Sequence, residues 1–198
     1  MAFLGSLAAG TAQAGNDIAA PRAAWNEGDF AGLQVIYSTF SDDKQHLYDP
    51  DAQWLFEGSR AAGSEGSRYA VGMPFTPQAD GTVHKIVLAI GLYAGADDLI
   101  SMSLHEDASG LPGALIKKFH LVGVPPFGQC CQTFAVGMKG IPVVAGTQYW
   151  VVMSAKGDTV GAWYDNDLGL KGLSAAGKDG KWHRETEEPL TAFSVLGD

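Results

Sequence analysis

From Leu33 onward apolar and polar residues alternate with a period of two, and turn-forming residues break the alternation. The clearest run spans residues 83–92. There His84, Ile86, Leu88, Ile90 and Leu92 form a more apolar set than Val83, Lys85, Val87, Ala89 and Gly91. This predicts one strand with its even-numbered side toward the core and Val87 and Ala89 half covered. Ile100, Met102 and Leu104 alternate with Ser101, Ser103 and His105, as a half-buried strand does. Residues 115–122 give another, in which the adjacent Lys117 and Lys118 mark an edge or an exposed bend. Residues 147–154 (TQYWVVMS) are aromatic and β-branched on both faces, which suits a central strand. Residues 160–164, 192–196 and a shorter 134–136 complete the predicted set.

Turn chemistry separates these runs. Residues 94–98 (AGADD) stand between two strands at hairpin distance, and 109–113 (SGLPG) stack residues that supply positive and fixed φ. Residues 125–128 (PPFG), Ala145-Gly146 and Lys178-Asp179-Gly180 are further turns. No stretch of helical length carries a 3.6-residue period with caps. Many short strands without helices predict an all-β fold, an antiparallel jelly-roll-like β-sandwich in a single domain over residues 33–198.

The N-terminus breaks the pattern. Residues 1–10 (MAFLGSLAAG) are small and apolar, and Ala12-Gln13-Ala14 has the small-x-small form that signal peptidase reads. Residues 1–14 are read as a signal peptide with a truncated n-region, since no Lys or Arg precedes Arg22. Residues 15–32 are Ala/Gly/Pro-rich and form an unstructured or partly ordered leader. A secreted, periplasmic or cell-surface location follows as the expectation.

Composition sharpens this picture. Gly supplies 26 of 198 residues, which fits many tight turns. Thirteen Lys+Arg against 22 Asp+Glu leave a net charge of −9, which repels phosphate backbones and argues against nucleic-acid partners. A mean hydropathy of +0.01, with no apolar run of about 18 residues, argues against a transmembrane helix.

Several motifs occur in a characteristic order: MPFTP at 73–77, a strand with Ile86, Leu88, Ala89 and Gly91, and SLHEDASGLPG at 103–113. FGQCC at 127–131, AGTQYW at 145–150 and GAW at 161–163 follow. Together they resemble the choice-of-anchor R domain of exported bacterial proteins, over about residues 35–197. Tyr37 and Trp54 to Gly58 fit the opening of that pattern less tightly. The resemblance implies a secreted or surface-attached β-sandwich, often followed by an anchoring tail, and supplies no activity for particular residues. Here the chain stops at Asp198 without such a tail, which favours a released or periplasmic protein.

The candidate chemistry is sparse. Cys130 and Cys131 are the only cysteines and are adjacent. Three readings stand open: a vicinal disulfide, free thiols, or a bond to another chain. Neighbouring Cα atoms lie ~3.8 Å apart, under the usual ~4.4–6.8 Å of a disulfide, so a vicinal ring is strained. Asp165, Asn166 and Asp167 put three oxygen-bearing side chains into one loop, a calcium candidate through Asp165 and Asp167 or simply an Asx-rich turn. Aromatic rings beside amides and carboxylates suit sugars, which stack their C–H faces and bond through hydroxyls. Trp163, Tyr164, Asn166 and Asp167 offer that mixture, with Trp182 and His183 on a later loop. The plainer reading makes Trp150 and Trp163 core and leaves Trp182 exposed. The five histidines form no chelating pattern, and no nucleophile or phosphate-binding motif occurs. Glu57, Glu106, Asp107 and Asp165 are the carboxylates a glycoside hydrolase would draw on.

The leading expectation is therefore a non-catalytic exported module that binds glycans or cell-envelope and matrix components. A self-associating structural protein of the surface or matrix is the alternative, and a hydrolase comes last.

Overall fold

A computed structural model describes residues 17–19, 32–43, 45–129 and 133–198. The expected signal peptide and the Cys130–Cys131 pair lie outside the described residues. Within the expected leader, Asp17–Ala19 forms β1 and pairs in parallel with the strand β8, Pro112–Leu121.

The described chain forms two β-sheets packed face to face, an all-β sandwich. The smaller sheet has the order β2 (Gln34–Ser38), β14 (Phe193–Gly197), β5 (Gly81–Leu88) and β9 (Phe134–Val143). The larger begins with β1 and β8, then β7 (Ile100–Asp107), β10 (Tyr149–Ala155) and β4 (Tyr69–Phe75). It continues through β3 (Asp49–Glu57), β11 (Val160–Asp165) and β6 (Ile90–Ala94). The hairpin of β12 (Lys171–Lys178) and β13 (Lys181–Pro189) branches from β4 through β12. Apart from β1 with β8, the paired strands run antiparallel.

The core lies where alternation requires it. Phe56, Met73, Phe75, Met102, Leu104 and Phe119 from the large sheet meet Ile86, Leu88, Val136, Phe193 and Val195 from the small one. Each such side chain withdrawn from water contributes roughly 1.5–3 kcal/mol against the entropy of ordering it. β10 is central, between β7 and β4, and buries both faces. Val151 and Met153 point into the main core, whereas Trp150 and Val152 pack on the opposite side with Ala175, Leu111 and Trp182.

Residues 83–92 depart from the single strand expected of them. The chain divides at Ala89 into β5 of the small sheet and β6 of the large one. Ala89 N–H donates to Ala192 O at 3.1 Å, and Ala89 O accepts from Tyr164 N–H at 2.9 Å. Val87 and Ala89 are fully buried, not half covered, because Phe40, Leu47 and Tyr48 close over the outer face of the small sheet. Against β14, the two-residue step from Lys85 to Val83 on β5 faces a one-residue step from Leu196 to Gly197, and with this irregularity Val83 is buried while His84 reaches Asp198 at 3.3 Å.

Two turn expectations divide the same way. Ser109 and Gly110 both take positive φ and close the β7–β8 hairpin, with Gly110 N–H donating to the Asp107 carboxylate. Residues 94–98, by contrast, join no hairpin: β6 pairs with β11, and β7 pairs with β10 and β8. Thr159 holds this connection, accepting from Ala96 N–H at 3.0 Å and donating to Ala96 O at 2.9 Å. Among the described residues β1 pairs with Phe119–Leu121 of β8, and Lys117 and Lys118 lie before that stretch.

Candidate functional site

The two rings expected to stack on a ligand at the end of β11 are used inside the protein. Trp163 is 0% exposed, packs edge-on against Phe193, and donates its indole N–H to Ala192 O at 3.1 Å. Tyr164 is sandwiched between Tyr48 and Phe127, with ring centroids 4.9 and 5.5 Å away. Its hydroxyl accepts from Gly128 N–H at 2.8 Å, and burial raises its pKa. Neither ring offers a face to a sugar.

Asn166 is also committed internally. Its amide donates to Leu170 O and Leu190 O, while its Oδ1 accepts from Leu168 N–H and Leu170 N–H. This side chain builds the 166–170 loop as an Asx-type cap, the plainer reading of the motif. Asp167 is exposed, whereas Asp165 is buried, so the two expected calcium ligands do not share one environment.

Trp182 has a different setting. It lies half-buried on β13, directly opposite Gly177 of β12, where a Cβ would come within 2.8 Å of the ring. The missing side chain lets the indole lie flat over β12, with its inner side against the Trp150, Val152 and Ala175 cluster. Trp150 itself is fully buried, yet its indole N–H reaches the Asp107 carboxylate at 2.8 Å. Gln148 Nε2 donates to the same oxygen at 2.7 Å. Burial opposes ionisation of Asp107, but these two donors, Gly110 N–H and nearby Arg184 outweigh it and hold the carboxyl below its ordinary range. Arg184 follows Trp182 by two residues on β13, so it shares its face, and donates to Ser109 O in the β7–β8 turn. Gly110 leaves room for that guanidinium, which a Cβ would meet.

Asp107 and Arg184 thus link the β7–β8 turn, the start of β10 and β13 into one connected region. It contains a half-exposed indole, an ionised carboxylate, an amide and a guanidinium. No family model matches this chain, and neither a curated protein nor a solved structure matches it. The geometry alone therefore carries the functional reading.

Two serine–histidine pairs were not legible from spacing. Ser103 Oγ and His105 Nε2 are 3.0 Å apart, and His105 Nδ1 lies 3.0 Å from Gly113 O. Because that carbonyl can only accept, Nδ1 carries the proton and Nε2 accepts from Ser103. Ser101 Oγ faces His120 Nδ1 at 3.1 Å. Burial lowers the pKa of both histidines, with Lys118 adding to it. Ser103 is only 5% exposed and lies in mid-strand, where the pair satisfies buried polar groups.

Of the suspected carboxylates, Glu106 and Asp107 adjoin at the end of β7, whereas Glu57 and Asp165 stand apart. Glu57 pairs with Val160 and Asp165 with Asp49, at opposite ends of β11, so roughly 16 Å of strand separates them. That exceeds the ~5–9.5 Å needed by a glycosidase pair. Among the described residues no group of three or more His, Cys, Asp or Glu side chains could hold a metal ion. No helix among them is long and apolar enough to cross a membrane.

Proposed function

We propose that this chain is an exported, non-catalytic β-sandwich module that binds glycans or related cell-envelope components through the Trp182 surface. The observation that carries the reading is the half-exposed Trp182 ring packed on the cluster of Trp150, Val152 and Ala175, with Arg184 two residues further along β13 reaching the β7–β8 turn that carries Asp107. An indole stacks on the apolar face of a sugar, and the guanidinium two residues on, with the carboxylate and amide farther along, bonds hydroxyls of adjoining sugar units. Backing by a packed hairpin keeps the ring oriented before ligand arrives, which lowers the entropy lost on binding. The small-x-small sequence at 12–14 and the resemblance to the choice-of-anchor R pattern support export.

The self-associating alternative has less support. Among the described residues β13 pairs only with β12, and it carries His183, Arg184, Glu185, Glu187 and Glu188, charge that discourages strand-to-strand pairing at this edge.

A glycan array probed with the wild-type chain and with Trp182→Ala tests the proposal. Binding to a defined set of glycans should weaken about tenfold or more when the ring is removed, equivalent to ~1.4 kcal/mol. Equal binding by both proteins, or none by the wild type, would sink it.

A further inference from the structure

A second feature, independent of the Trp182 surface, lies where β3 opens and β11 ends. Tyr164 pairs with Gln53, but the next residue, Asp165, pairs with Asp49. Pro50, Asp51 and Ala52 are therefore left without partners on β11 and form a bulge, a device that re-aims side chains. Its result is two aspartates directly opposite one another, an arrangement that is unfavourable for like charges.

Both aspartates line a cavity of about 170 Å³, together with Asn166, Leu170, Lys171 and Pro189. Asp165 is 7% exposed, and its Oδ1 has no hydrogen-bond partner. Thr191, bridged to Asp165 across the chain, is fully buried and its Oγ1 is also unpartnered. Oxygens so withdrawn from water need a partner. Three occupants can offset the repulsion: a proton, the Lys171 ammonium or a cation. Lys171 is exposed, and among the described residues no ion pair joins it to either carboxylate.

The cavity is smaller than the ~300–1,000 Å³ of sites for organic ligands. At about 30 Å³ per water, it has room for an ion and several waters. Its polar lining is oxygen-rich, with no thiolate or imidazole, and hard oxygen ligands in a bulged loop suit calcium's variable coordination. The Asn166 amide is spent on the loop's own backbone, so it shapes the site without ligating.

We propose that Asp49 and Asp165 together bind a calcium ion in this cavity, with water completing its coordination. Two protein carboxylates and several waters place the affinity in the weak range of extracellular modules, about 10⁻⁴–10⁻³ M. The ion would join β3 to β11 at the bulge and stabilise the folded state by mass action.

The test uses the whole chain, stripped of metal by a chelator and dialysed. At pH 7.5, about 5 mM calcium should raise the melting temperature. Terbium should emit on tryptophan excitation, since Trp54 donates its indole N–H to Pro189 O at the cavity wall. Calcium should quench that emission by displacement. Asp49→Asn and Asp165→Asn should each lose both responses, while Asp167→Asn should retain them. Asp165→Asn keeps the side-chain shape and removes one of two repelling charges, so it remains informative if Asp49→Asn does not fold. Absence of both responses in the wild type, or their persistence in Asp165→Asn, overturns the proposal.

Discussion

Asp165 shows how one residue ties the fold to its solution conditions. Burial first, and the opposing Asp49 second, push its carboxyl up to about 7. In the folded chain it therefore keeps a proton that the unfolded chain, with its carboxyl near 3.8, has already released. The contribution is present in full below about pH 4 and is lost as pH rises through about 7. Lys171 and Asp49 are the charged side chains lining the same cavity. In chelator, the stability of the wild type relative to Asp165→Asn should thus fall between pH 4 and 8. Denaturant melts of the two proteins across that range measure it. A flat difference would show that Asp165 does not bear this proton. Asp107 acts with the opposite sign, losing stability as pH falls through its depressed range, and comparison of the two proteins cancels its effect.

At the scale of elements, packing between strands sets the tolerances. On β11, a Cβ at Gly161 would run into the ring of Phe56 on the paired strand β3. Gly161→Ala should therefore cost about 1–3 kcal/mol by overpacking. A urea midpoint equal to that of the wild type would contradict this account of the β3–β11 contact. The elements also differ in how plainly the chain announces them. β7, β10, β11 and β14 must bury at least one apolar side, so their alternation or continuous hydrophobicity is visible in the residues themselves. β13 (KWHRETEEP) pairs only with β12 among the described residues, so little in its own sequence marks it as a strand. β3 begins with a bulge around Pro50, which hides its start. The division of residues 83–92 at Ala89 depends on Ala192 and Tyr164, distant residues whose hydrogen bonds decide the sheet to which each half belongs. Trp182 was legible as a candidate by its type. The linkage of Asp107, Gln148 and Arg184 was not legible, because β7, β10 and β13 come together only in the folded chain.

At the scale of the whole molecule, the sandwich separates support from recognition. Trp163, Tyr164 and Trp150 fix the interior, and the β12–β13 hairpin carries Trp182 outward on a branch from β4. A net charge of −9 keeps such molecules apart in solution and disfavours anionic partners, so a neutral glycan meets less electrostatic cost than an acidic one. The most direct measurement uses the indole N–H signals of the five tryptophans in a ¹⁵N-labelled sample, assigned by substitution and titrated with neutral oligosaccharides. The Trp182 signal should move with saturation, and Trp150 should follow through its bond to Asp107. Trp54 and Trp163, bonded to Pro189 O and Ala192 O, should stay in place. A ligand that moves Trp54 or Trp163 while leaving Trp182 still, or a panel that moves none of them, would contradict the assignment of this surface as the binding site.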